Sequence, residues 1–281
     1  MGQPVTAPRD HSLAVGGLTF HYVTWGLETA PPLVLLHGLT SHARSWDALG
    51  RELSTSRRVI ALDQRGHGDS DRAPDGDYRV ATMAGDVAGF VDAIGLERFE
   101  LLGLSMGGRV GIAYAGAHAA RIERFCIVDI GPEIHLPGIE RIRQMMAGSP
   151  ERIGSEEEAV EYIRRANPRA PEAGLRERVR NAVRPLPDGG LEWKYDKALR
   201  DMMRQGGRRE TIDLWEPLRR ITSPTLLVRG ADSDVLSVDV AKRMIDALPD
   251  GRLVEIPGAG HPVPMDQPEA FGRAVRAFLG V

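Results

Sequence analysis

A serine hydroxyl becomes a useful nucleophile only when a neighbouring base takes its proton and hydrogen-bond donors await the developing oxyanion. This sequence holds candidates for each part. Gly103-Leu104-Ser105-Met106-Gly107 is a G-x-S-x-G pattern directly after an apolar run and directly before an Ala- and Gly-rich one. A tight strand-to-helix turn there would hold Ser105 with its Oγ exposed, and the flanking glycines would let backbone come close. The helix N-terminus behind it would present free N–H groups where negative charge develops. The plain alternative is a helix N-cap serine; the strand–turn–helix context favours the nucleophile.

His261, in Gly258-Ala259-Gly260-His261-Pro262, is the expected base. It lies just beyond the last expected strand, on a short loop at the same sheet edge as Ser105. His11, His21, His118 and His135 fall far from strand ends or on helix and hairpin surfaces. A base of this kind needs a buried carboxylate to fix its tautomer and stabilise the imidazolium. Leu226 to Asp234 ends the penultimate strand and offers two. Asp234 is favoured, because Val235-Leu236-Ser237 can anchor the loop and open the next helix. Asp232 and Asp129 are the alternatives, and turn or capping chemistry is the expected role of whichever are not used.

The oxyanion donors are expected to be the backbone N–H groups of Met106 and of Leu39, in the loop His37-Gly38-Leu39-Thr40. His37 is then a structural residue of that loop, and His42 and Arg44 either border the pocket or are solvated. Asp63-Gln64-Arg65-Gly66-His67-Gly68-Asp69-Ser70 reads as a self-bonded turn. No second His or Cys stands at ligand spacing from His67, so no metal is expected there, and attack by an activated serine needs no metal or organic cofactor.

These residues need a scaffold that brings strand ends together. Leu33 to Leu36, Arg58 to Leu62 and Phe99 to Leu104 are short apolar runs ending in Gly-containing turns, the mark of strands buried on both faces. Val80 to Ile94 carries apolar residues at helical spacing, Met106 to Ala120 reads as a helix, and Arg124 to Ile130 as a further strand. This alternation argues for a parallel sheet with helices on both faces. Ser12 to Val15 and Leu18 to Trp25 read as an antiparallel hairpin across Gly16-Gly17. From Pro132 to about Leu214 no buried strand is expected, only charged helical segments such as Glu156 to Ala166 and Glu172 to Val183, broken by prolines. The strand rhythm resumes at Thr225 to Arg229 and Arg252 to Ile256, with helices at Val238 to Leu248 and Pro268 to Leu279. The organisation expected is an α/β core at 1–132 and 215–281 with a helical lid at 133–214.

The 281 residues are 42% hydrophobic and 27% charged, with a formal net charge of −3. That balance excludes an electrostatic claim on nucleic acid or an anionic membrane. The many arginines between Glu133 and Asp213 are interleaved with acids and read as ion-paired helix surface. The single cysteine, Cys126, lies in an apolar run and is expected to be a core residue. Met1 to Asp10 has no apolar core of signal-peptide length and no stretch approaches a membrane span, so a cytoplasmic protein is expected.

His37-Gly38, Asp63-x-Arg65-Gly66-x-Gly68-x-Ser70, Gly103-x-Ser105-x-Gly107-Gly108, a late Gly-x-Asp-x-Asp and Gly-x-Gly-His261 together resemble the α/β-hydrolase superfamily. The likeness is greatest to its small capped esterases, lactonases, C–C bond hydrolases and cofactor-free haloperoxidases. It implies an eight-stranded, mostly parallel sheet, a helical cap between strands six and seven, and a Ser105–His261–Asp triad. One position departs. Members usually carry the acid three residues after the glycine ending strand seven, and here that residue is Ser233, flanked by Asp232 and Asp234. Ser105 excludes the branches that use an aspartate nucleophile. The expected activity is hydrolysis of a small carboxylic ester or lactone, its only partner a small-molecule substrate. A C–C bond hydrolase of meta-cleavage type is one alternative, though the His37–His42 loop lacks the Gly- and Pro-rich character usual there. A ligand receptor that binds without turning over is the other.

Overall fold

The computed structural model describes residues 7–172, 174–204 and 212–281. β1 (Arg9–Val15) and β2 (Leu18–Trp25) form the antiparallel hairpin, turned at Gly16 and Gly17, both at positive φ. There follow β3 (Pro32–Leu36), α1 (Asp47–Leu53), β4 (Arg58–Leu62), α2 (Val80–Ala93), β5 (Phe99–Leu104), α3 (Met106–Ala117) and β6 (Ile122–Val128). Next come α4 (Leu136–Ala147), α5 (Glu156–Ala166), α6 (Leu175–Ala182), a short hairpin of β7 (Val183–Pro185) and β8 (Leu191–Trp193), and α7 (Lys197–Arg204). The chain then runs through α8 (Trp215–Arg219), β9 (Thr225–Gly230), α9 (Val238–Ala247), β10 (Gly251–Ile256), α10 (Val263–Asp266) and α11 (Pro268–Leu279). No helix among the described residues is long and apolar enough to cross a membrane.

Eight strands make one sheet in the order β1-β2-β4-β3-β5-β6-β9-β10, parallel from β4 onward. Alternate residues serve opposite faces, as the pleat requires. Val34, Leu36, Ile60 and Leu62 join Val87 and Phe90 of α2 and Val110 of α3 in one apolar layer. Leu33, Leu35, Val59 and Ala61 join Leu53 of α1 and Phe271 and Val275 of α11 in the other. Full burial of each such aliphatic side chain stabilises by about 1.5–3 kcal/mol, so the central strands are held from both sides. Strand order reverses between β3 and β5. At such a reversal the loops beyond the carboxyl ends diverge and leave a crevice. The loops after β3 and β5 carry His37-Gly38 and Ser105.

The described residues between 136 and 204 gather around an apolar cluster of their own, including Met146, Ile153, Val160, Leu175, Val179, Trp193 and Leu199, against which Leu39 and Tyr78 pack. The β7–β8 hairpin departs from the strand-free reading of this stretch. Its three-residue strands are too short for alternation to register in the sequence, and Pro185 reads there only as a breaker. Residues 1–6, at the N-terminus, and 173 and 205–211, within the expected lid, lie outside the described residues.

Candidate active site

Ser105 closes β5 and caps α3 with φ 52° and ψ −117°, a left-handed conformation costly for a residue with a side chain. Its neighbours show why glycine surrounds it. A Cβ on Gly103 would lie 2.4 Å from the Gly107 carbonyl oxygen, and one on Gly107 would lie 2.4 Å from that of Leu36. A Cβ on Gly108 would meet Ile130 at 2.4 Å. The turn can therefore be this tight only with these glycines, and the Ser105 amide ties it to the Val128 carbonyl at 3.0 Å.

His261 reaches Ser105 from the loop after β10. Its Nε2 lies 2.8 Å from Ser105 Oγ, placed to accept the hydroxyl proton. Gly230, at the end of β9, lets that loop pass close, since a Cβ there would lie 2.2 Å from the Gly260 carbonyl oxygen. Asp266 fixes the loop from behind by accepting the Gly260 amide at 2.8 Å. His261 Nδ1 donates to Oδ2 of Asp129 at 2.9 Å.

The carboxylate beside His261 is thus Asp129 and not the expected Asp234. Asp129 stands just past β6, fully buried, with φ 49° turning its side chain under the imidazole. It accepts three hydrogen bonds: the Gly230 amide at 2.9 Å, the Ser233 hydroxyl and His261. Ser233, at the position where the resemblance implied the acid, contributes a donor to a carboxylate supplied by the adjacent strand. Asp234 points outward, where Arg141 of α4 grips both its oxygens at 2.6 and 2.9 Å. That guanidinium holds the Asp234 carboxyl below the usual carboxylate range. Asp232 is half-exposed and 3.7 Å from Arg169.

The loop after β3 packs on Ser105: a Cβ on Gly38 would lie 3.4 Å from Ser105 Cβ. Gly38 to Ser41 forms a turn closed by the Ser41 amide on the Gly38 carbonyl (3.1 Å), with Thr40 at φ 63°. Neither the Leu39 nor the Met106 amide donates to an acceptor among the described residues, so both remain available to an oxyanion. His37 is the loop's anchor. Its Nδ1 donates to the Gly38 carbonyl (2.8 Å) and its Nε2 accepts the Gln64 amide (3.1 Å), while the Gln64 side chain donates to the His37 carbonyl (2.7 Å). Burial lowers the His37 pKa and pushes those of His42 and His67 down to about 3, so all three rings are neutral.

A cavity of about 110 Å³ opens above Ser105 and His261. Met145, Met146, Trp193 and Tyr195, four of the larger apolar residues between α4 and α7, line it while also packing their own cluster. Met202 and Met203 serve that cluster alone. His42, named from sequence as a possible border, is part of the cavity's polar lining, whereas Arg44 is not and pairs with Asp10. Arg141, Arg178, Ser41 and Asn167 also line it, and of these four the sequence singled out none. Elsewhere, His21, Asp63 and Asp69 bring ligand-capable atoms within 4.8 Å of one another. Those atoms are engaged: His21 Nδ1 and the Asp69 amide donate to Asp63 at 2.7 and 3.0 Å, and Lys194 donates to Asp69 at 2.7 Å. His67 Nδ1 donates to the Arg65 carbonyl at 2.9 Å.

A serine on a strained turn at the strand reversal of an eight-stranded α/β sheet, in hydrogen-bond contact with a histidine from the loop after the last strand, is an arrangement suited to a hydrolase. The chain belongs to the alpha/beta hydrolase family, whose profile matches residues 33–274. It is 30% identical over 276 residues to the 2-(acetamidomethylene)succinate hydrolase of Mesorhizobium japonicum, covering 96% of each chain. It is 29% identical over 273 residues to the 3-hydroxybutyrate-oligomer hydrolase of Cupriavidus necator, covering 92% of each. Among solved structures, that of an E-2-(acetamidomethylene)succinate hydrolase superposes with a TM-score of 0.88 at 27% identity, over 98% of this chain and 100% of the other.

Proposed function

We propose that this protein is a serine hydrolase of small carboxylic esters, lactones included, working through an acyl-enzyme. Ser105 Oγ attacks the carbonyl carbon as His261 Nε2 takes its proton. The tetrahedral oxyanion rests on the Leu39 and Met106 amides, each contributing on the order of 3 kcal/mol to the transition state. His261, its imidazolium stabilised by Asp129, returns the proton to the leaving alcohol. Water deprotonated by His261 then attacks the acyl-enzyme, and Ser105 is released with the acid product.

The observation that carries this reading is the continuous series Ser105 Oγ–His261 Nε2 at 2.8 Å and His261 Nδ1–Asp129 Oδ2 at 2.9 Å. The amides of Leu39 and Met106, which bond to no acceptor among the described residues, support it, because acyl transfer needs donors there. A cavity of about 110 Å³ supports a compact acyl group over a long chain. Two relatives named as hydrolases of a succinate derivative and of a hydroxybutyrate oligomer point to small carboxylic-acid derivatives as well. The lid role proposed for residues 133–214 agrees with the cavity being roofed by α4, α5 and α6.

Steady-state hydrolysis of p-nitrophenyl acetate, butyrate and octanoate by wild type and Ser105→Ala tests the proposal. Multiple turnovers are expected on the two short esters, weaker ones on octanoate, and a loss of at least 1,000-fold in the variant. A wild type that turns over none, or a variant that keeps most of the activity, overturns it.

A further inference from the structure

The cavity above Ser105 holds two guanidinium groups in contrasting circumstances. Arg141 is satisfied by both oxygens of Asp234. Arg178, on α6, has no Asp or Glu carboxylate within ion-pair distance among the described residues, and its polar contact is Ser41 Oγ at 3.2 Å. Burial alone lowers its pKa, to about 10, a value at which it stays charged at neutral pH. The titratable groups facing it supply no counter-charge. His37 and His42 are held neutral by burial, His42 donating from Nε2 to the Arg178 carbonyl at 3.3 Å. Asp63 is spent on the Ala43 and Asp69 amides and on His21.

Other arginines nearby are matched: Arg164 with Glu172, Arg180 with Glu156, Arg184 with Glu192. Arg178 is partly buried and lines the cavity, so its charge faces the space a ligand would enter, and pairing there with an anion would gain more than at an exposed site. A guanidinium matches the two oxygens of a carboxylate in a paired geometry. Its contact with Ser41, two residues beyond Leu39, places it on the oxyanion-loop side of the cavity. We propose that Arg178 receives a free carboxylate of the substrate, so that this protein acts on esters that carry a second, unesterified acid group. This rests on the serine-hydrolase reading for its chemistry but not for its binding.

The test pairs two acyl groups of equal length, p-nitrophenyl valerate and p-nitrophenyl hydrogen glutarate, corrected for spontaneous hydrolysis. Wild type is expected to favour the glutarate by tenfold or more in kcat/KM. That ratio should fall at least thirtyfold in Arg178→Gln, chiefly through KM, with Arg178→Lys between the two. A ratio unchanged within twofold in Arg178→Gln, or a wild type that favours valerate, overturns the proposal. Should wild type turn over neither ester, the ester reading fails by itself and glutarate binding measured by calorimetry decides. Binding by wild type that Arg178→Gln loses supports the carboxylate site; equal binding, or none, overturns it. Melting temperatures of both variants report whether each is folded.

Discussion

Ser105, His261 and Asp129 stand on backbone with almost no freedom, whereas the roof of their cavity is built from long side chains on short helices. On the sheet side, three glycines around Ser105 have no room for a methyl group, and Asp129 has all its contacts satisfied in a fully buried place. On the roof side, α4 and α6 present Arg141 and Arg178, one neutralised by Asp234 and one not. The difference separates two tasks. Chemistry needs atoms placed within a few tenths of an ångström, which close-packed backbone supplies. Selectivity needs only a charge or a shape on a wall, which exposed helices can vary without disturbing the sheet.

If that contrast is right, removing one charge from the sheet side is ruinous. Asp129→Asn leaves a neutral amide under His261 Nδ1, and kcat on p-nitrophenyl acetate is expected to fall by about 10³–10⁴-fold. A fall of less than tenfold would move the acid elsewhere and dissolve the contrast.

Stability should report the sheet side too. Between pH 6.5 and about 3 the unfolded chain binds protons at His37, His42 and His67 that the folded chain refuses, so stability declines as pH drops through this window. His21 opposes it: the pKa is raised by the Asp63 hydrogen bond against the pull of burial, so its contribution is present below 6.5 and lost at higher pH. Three groups outweigh one, and Tm at pH 5 is expected to lie roughly 5–10 °C below that at pH 7. An unchanged or higher Tm at pH 5 would mean that the loops under Ser105 are open to water. The smallest effect is expected on the roof side. Asp234→Asn frees Arg141 without touching His261, and kcat should stay within about threefold of wild type. A loss rivalling that of Asp129→Asn would restore the assignment favoured from sequence.

Much of the fold was legible because its signals are local. The runs ending at Leu36, Leu62 and Leu104 are buried on both faces and read as strands, and Glu156 to Ala166 is α5 to the residue. Ser105 and His261 were legible for the same reason, each sitting among glycines that only a close backbone approach explains. Asp129 was legible only as an alternative to Asp234, because a carboxylate after an apolar strand looks alike whether it caps a turn or holds a histidine. The available signal was Ser233, a hydroxyl at the expected acid position, which implies that a carboxylate comes from a neighbouring strand. Arg178 carried no signal, since it is one arginine among many on a charged helix and its lack of a partner exists only in three dimensions. The hairpin at Val183 to Trp193 escaped because three-residue strands leave no period.

The measurement closest to the centre of this account is stoichiometric labelling with a fluorophosphonate, whose tetrahedral adduct needs an activated serine and a filled oxyanion site. One phosphonyl group per chain, mapped to the peptide carrying Ser105 and accompanied by complete loss of esterase activity, is the predicted result. An enzyme that stays active and unlabelled, or a label on any other residue, would contradict it.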